Sequence, residues 1–135
     1  MEKVYFSHLE SPTDREARTP AMQIDYMIGT MERGSYVSLN GFCYPTYMDP
    51  DEVGEMVKQS VVRGYGHKML LSLDWWWKYV DGKLWFVYQE KDPGYVGVRN
   101  WAFLMTHVVP YLHDYGVPQA DIEKMLRDNV HNLFS

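Results

Sequence analysis

Apolar positions along the chain follow two periods, and each change of period marks an element. Lys3 to Ser7 (KVYFS) is a β-branched and aromatic run that predicts a first strand, ending on His8. Leu9 to Thr19 is polar and predicts a loop. Thr19-Pro20 is an N-cap followed by proline at the first helical position. Ile24, Met27, Ile28 and Met31 then fall on one helical stripe that stops near Gly34. Ser35 to Phe42 alternates again and predicts a second strand, followed by a loop through Met48. Asp49-Pro50-Asp51-Glu52 is a second helix start, with Val53, Met56, Val57 and Val61 as its stripe and Gly64 and Gly66 at its end. The third strand lies in His67 to Trp77 (HKMLLSLDWWW), an apolar run that ends on Asp74 and meets three tryptophans.

Beyond Asp74 the pattern loosens. Trp75 to Gly97 predicts an irregular segment, with a small hairpin about Asp81-Gly82. Trp101, Leu104, Val108, Tyr111, Leu112 and Tyr115 restore the helical stripe. Pro110 inside it predicts a kink or break, because proline lacks the backbone donor. Gly116 stops that helix, and Pro118 starts a last one with Ile122, Met125 and Leu126 inward. The tail Asn129 to Phe134 is expected to pack back on the body. Strand-helix, strand-helix, strand-loop-helix-helix is the order of an α/β protein. Each strand-to-strand crossover is long enough to be parallel and right-handed. Three such strands cannot close a barrel alone, since closure ties strand number to tilt and stagger.

Composition narrows the class. The 135 residues suit a single domain spanning 1–135, and no repeat, low-complexity run or linker divides them. A net charge of −5 without a Lys/Arg stripe excludes a general nucleic-acid binder. The single cysteine, Cys43, excludes an intrachain disulfide and a Cys-rich zinc knuckle. No apolar run is long enough to span a bilayer, and the N-terminus lacks a signal-peptide layout, so a cytoplasmic protein is expected. Aromatics are abundant, with 5 Trp, 11 Tyr and 5 Phe, and they concentrate after Asp74.

Two residues carry candidate chemistry. In parallel α/β folds functional groups gather at the carboxyl ends of strands, and His8 and Asp74 both stand there. A lone carboxylate at a strand end is costly to bury without a partner, a metal or a proton. Imidazole with carboxylate is ligand chemistry for zinc, manganese or iron, and such an aspartate can also take a proton from a metal-bound water. Spacing alone leaves the ordinary readings open: His8 as a loop residue, Asp74 as the N-cap of the turn at Trp75. A catalytic zinc takes about three protein ligands, more than this pair supplies. Trp75, Trp76 and Trp77 line either a substrate pocket or a hydrophobic patch. His67, His107, His113 and His131 show no paired spacing and read as structural or solvated.

Taken together, His8, LSLDW (71–75), PGY (93–95) and the ending HVVPYLHDYGVPQADIEKMLRDNVHNLFS (107–135) resemble the C-terminal third of the phosphotriesterase family, metal-dependent hydrolases of the amidohydrolase superfamily. A minor departure in the ending is Asn129-Val130 where the family usually has Asn-Pro. The resemblance implies a partial TIM-type (β/α) barrel: three parallel strand-helix units plus C-terminal helices. It implies that His8 is a metal ligand and Asp74 both a ligand and a proton acceptor. A divalent metal, zinc foremost, would then drive hydrolysis of a small-molecule ester, lactone or phosphoester, with the tryptophans shaping the pocket. The family's other ligands, including a His-x-His pair and a strand lysine, have no match in this chain. Self-association, a partner supplying the missing barrel units, or a truncated gene product is therefore expected. The rival reading is a non-catalytic truncated remnant or interaction module that keeps the α/β scaffold. A nucleotide-binding domain is disfavoured, because no Gly-rich phosphate loop follows a strand.

Overall fold

The computed structural model describes residues 3–10, 19–43, 49–73, 77–86 and 102–135. Strands β1 (Tyr5–Ser7), β2 (Tyr36–Leu39) and β3 (Met69–Leu71) lie in the order β1-β2-β3, and both pairs are parallel. Phe6 lies level with Val37 and Met69, and Ser7 with Ser38 and Leu70. Helices α1 (Pro20–Glu32) and α2 (Pro50–Val62) lie in the two crossovers that parallel pairing requires.

The caps form where the sequence predicts them. The Thr19 side chain accepts from the Met22 amide, and that of Asp49 from the Asp51 amide. The stripes face inward as well: Ile24, Met27, Ile28 and Met31 of α1 and Val53, Met56 and Val57 of α2 are buried against Val37, Leu39, Met69 and Leu71 of the sheet. Strands β2 and β3 are shorter than their apolar runs. The chain leaves β2 into a 3₁₀ turn (Gly41–Cys43), and another (Gly66–Lys68) takes up His67 before β3 begins. The predicted hairpin forms from β4 (Trp77–Val80) and β5 (Lys83–Phe86). Positive φ at Asp81 (50°) and Gly82 (76°) marks the two-residue turn whose twist suits paired strands.

The C-terminal helices close one side of the sheet. Helix α3 comprises the π-turn Leu104–Val108 and the α-segment Val109–Asp114. Pro110 does not break it. The turn before the proline widens instead, and the Val109 amide bonds to the Leu104 carbonyl five residues back, which relieves the crowding a proline ring causes. Helix α4 runs on through Gln119–Glu123, Lys124–Asp128 and Asn129–Phe134, so the tail is its last turn. Buried Asn129 donates to the Gly66 and Met69 carbonyls at 2.8 and 2.7 Å and fixes α4 to the start of β3. Among the described residues, no helix is long and apolar enough to cross a membrane.

Candidate functional site

The carboxyl ends of β1, β2 and β3 form one polar rim. On the sheet face away from α1 and α2, side chains alternate with the pleat, so Ser7, Ser38 and, beyond the strand ends, Asn40 and Ser72 project together. Asn40 ties them. Its amide nitrogen donates to Ser7 Oγ (2.7 Å) and lies 3.4 Å from His8 Nε2. Its Oδ1 accepts from Ser38 Oγ (3.1 Å) and from Ser72 Oγ. Ser38 and Ser72 also approach each other at 3.3 Å.

His8 occupies the predicted place, exposed at the end of β1. Its φ of 63° is left-handed, a conformation costly for a residue with a side chain, and it turns the chain back toward the protein. The return brings Glu10 inside, where it is 1% exposed. Glu10 Oε1 accepts the Asn40 amide at 2.6 Å, while among the described residues Oε2 has no hydrogen-bond partner. Burial pushes the Glu10 carboxyl above the ordinary carboxylate range. Backbone amides of Asn40, Glu10 and Gly41, and the nearby His8, pull it partly back.

Of the other predicted site residues, Asp74, Trp75 and Trp76 lie outside the described residues, and Trp77 is described only as backbone opening β4. His67 bonds the Gly64 carbonyl, His107 stacks on Phe103, His113 faces Asp114, and His131 is exposed on α4. None joins His8. Sequence reading missed Asn40, Glu10 and the three serines. The strand-end rule that selected His8 and Asp74 also selects Asn40, once β2 is ended at Leu39 rather than Phe42. Glu10 carries no sequence signal, because a carboxylate in a polar stretch reads as solvated.

The rim offers one imidazole, hydroxyls and an amide. Among the described residues no three His, Cys, Asp or Glu side chains gather closely enough to hold a metal. The unpartnered Glu10 oxygen does not supply another ligand. Its carboxylate is addressed by backbone N–H groups, which favour an anion and repel a cation. The described residues therefore offer in His8 a single side chain of a metal-ligating type on this rim, and not a whole metal centre. Below the rim, on the same sheet face, lies a cleft of about 250 Å³ lined by Tyr5, Ser7, Ser38, Leu70, Ser72 and Leu133, among others.

Comparison with known proteins places this geometry. A family model for the phosphotriesterase family matches residues 2–134. No curated protein sequence matches significantly. Among solved structures, the chain is similar to the phosphotriesterase homology protein of Escherichia coli, which holds phosphate in its active site, at TM-score 0.69 and 21% identity. It is similar to the phosphotriesterase of Mycobacterium tuberculosis at 0.71 and 23%, and to a mutant organophosphorus hydrolase of Deinococcus radiodurans at 0.70 and 19%. The alignments take in 97–98% of this chain but only 36–38% of each neighbour. The neighbours are TIM barrels, and the three parallel strands with their helices are a partial barrel of that kind.

Proposed function

This chain belongs to the phosphotriesterase family, and from that premise we propose that it carries the C-terminal share of a metal-dependent hydrolase acting on a small-molecule ester, lactone or phosphoester. The observation that carries the reading is His8, exposed at the end of a parallel strand on a polar rim, in a chain that matches the family over 2–134. In this reading His8 and Asp74 are this chain's metal ligands and zinc is the first metal to test. Bound there, the metal would supply Lewis-acid polarisation and a lowered pKa for the attacking water. Asp74 takes the proton released on attack. Trp75, Trp76 and Trp77 wall the substrate. Asn40 and the serines hold the rim on which His8 stands.

The remaining ligands come from outside these residues. Among the described residues β1 pairs only with β2, so its other edge is open, and the sheet face lined by the cleft has no helix layer over most of β1. We infer self-association or a partner bringing further strand-helix units. The setting, with no spanning helix among the described residues, suits a cytoplasmic protein. A second reading has its own support. The absence of a three-ligand cluster among the described residues favours a non-catalytic remnant or interaction module built on the same scaffold.

Metal content and hydrolysis of an ester, lactone and phosphotriester panel separate the two. The full chain is expected to bind zinc, and His8→Ala and Asp74→Ala each to lower bound zinc at least tenfold. A wild-type chain that binds no zinc and turns over nothing would sink the hydrolase reading for the chain on its own and leave the scaffold reading.

A further inference from the structure

We propose that Glu10 is a positioning residue: its carboxylate stands in for a strand carbonyl at the end of β1, and so decides which face of the sheet His8 presents. The use made of His8 rests on the hydrolase reading; the replacement itself rests on backbone geometry alone.

In a parallel pair, bonds to one neighbour recur at every second residue. The Tyr36 amide donates to the Val4 carbonyl at 2.9 Å, and Tyr5, Phe6 and Ser7 lie level with Tyr36, Val37 and Ser38. Carried on in that register, the ladder would bring the Asn40 amide to the His8 carbonyl. The Asn40 amide donates to Glu10 Oε1 instead, at 2.6 Å. The carboxylate can reach it because the chain reverses at His8, where φ is 63°. Further contacts hold the returning segment. The Leu9 carbonyl accepts from the side chain of Gln23, which is buried, and Leu9 packs against the apolar core. Glu10 follows, 1% exposed. A left-handed residue that carries a side chain persists only where its surroundings hold it. Here the anchors are the two residues that follow.

The reversal changes what His8 faces. Side chains of an extended strand alternate between the two faces. Ser7 points to the rim, where its Oγ meets the Asn40 side chain. Were β1 to continue, His8 would follow Phe6 to the helix side, level with Leu39. With the ladder ended by Glu10, His8 Nε2 lies 3.4 Å from the Asn40 side chain, on the side of the serines. Glu10 therefore acts on the rim through His8, by ending β1 one residue before it.

The test is ¹⁵N- and ¹³C-edited NOE spectra of the labelled full chain without metal. A positive φ brings a residue's own amide and α protons close together, and a strong NOE between them reports it. Wild type is expected to show that NOE at His8 and a second from the His8 ring to the Asn40 side-chain amide. Glu10→Gln keeps an oxygen for the Asn40 amide and is expected to retain both. Glu10→Ala is expected to lose both, as β1 extends through His8, while the amide shifts of Leu112 and Met125 stay in place and show that the core is folded. Glu10→Ala retaining both signals, Glu10→Gln losing both, or a wild type without the positive-φ signal overturns the proposal. Should Glu10→Ala fail to fold, Glu10→Asp replaces it: its carboxylate is one methylene short of the Asn40 amide, the same losses are expected, and retention of both signals overturns the proposal. These readouts need neither metal nor turnover, so their failure is distinct from failure of the hydrolase reading, which zinc content reports.

Discussion

The two faces of the three-stranded sheet are made from alternate residues of the same strands, and different layers cover them. Toward the helices, Val37, Leu39 and Met69 are 0% exposed and meet Met27, Val57, Leu112 and Met125, also 0% exposed. Toward the other side, Leu133 covers Tyr36 and Leu70, each 7% exposed, while strand β1 stays exposed on both sides, with Tyr5 51% and helix-side Phe6 45% exposed. The faces differ in what covers them, a broad apolar layer on one side and Leu133 on the other, and β1 is exposed on both because among the described residues it stands at an edge. The helices of this chain complete one face over β2 and β3, which holds the fold. The second face and its rim carry the polar network and the cleft. Truncation on the first face should therefore be the most damaging change. Leu112→Ala removes a fully buried side chain where α3 meets α2 and the sheet, and should cost about 2–5 kcal/mol in urea unfolding. A cost under about 1 kcal/mol would mean the helix-side core is not what stabilises the chain.

A smaller loss is expected where α4 is joined to the start of β3 by polar rather than apolar contact. Asn129→Ala strips the Gly66 and Met69 carbonyls of their buried donor, with an expected cost of about 1–3 kcal/mol. If thermal or urea unfolding shows no loss, water replaces the amide and the start of β3 is more open than its burial implies.

What the sequence disclosed follows the same division. The helix-side face was legible because burial against helices imposes a period: every residue of the α1 stripe is buried, as are Val53, Met56 and Val57 of α2. The caps Thr19 and Asp49 were legible because capping is local chemistry. Pro110 misled in part, since its lost donor was visible but the π-turn that absorbs it depends on room in the surrounding helices. The rim was legible only at His8. Asn40 was concealed by a 3₁₀ turn that continues the apolar run of β2, and Glu10 by a left-handed turn at His8 that no sequence period announces. Function at a rim is written in contacts between strand ends, and those are distant in sequence.

Glu10 allows the rim to be set against the core by pH. Its folded pKa is raised, chiefly by burial, so its contribution is most favourable below the unfolded carboxylate pKa and is lost as pH rises through the raised folded value. Glu10→Gln keeps an oxygen for the Asn40 amide and removes the charge. Between pH 4 and 8, wild type should lose stability relative to Glu10→Gln as pH rises, while the deficit of Leu112→Ala stays constant. Parallel wild-type and Glu10→Gln curves in urea would show that the buried carboxyl does not titrate differently on folding.

The smallest effect on stability is expected on the unfinished face, and it breaks the comparison most directly. Tyr5 and Phe134 are 51% and 77% exposed, so little apolar contact is lost when they are shortened. Tyr5→Ser with Phe134→Ser should change unfolding free energy by no more than about 0.5 kcal/mol, the range of surface substitutions. The same pair should lower self-association in light scattering, because both side chains belong to the cleft-lined face that further strands or a second copy would cover. The two readouts move independently. A stability loss above about 1 kcal/mol would mean this face is already packed within one chain, and the contrast between the faces would fail. Unchanged stability with unchanged association would keep the contrast but remove this face as the surface through which chains meet, leaving the open edge of β1 as the place to look.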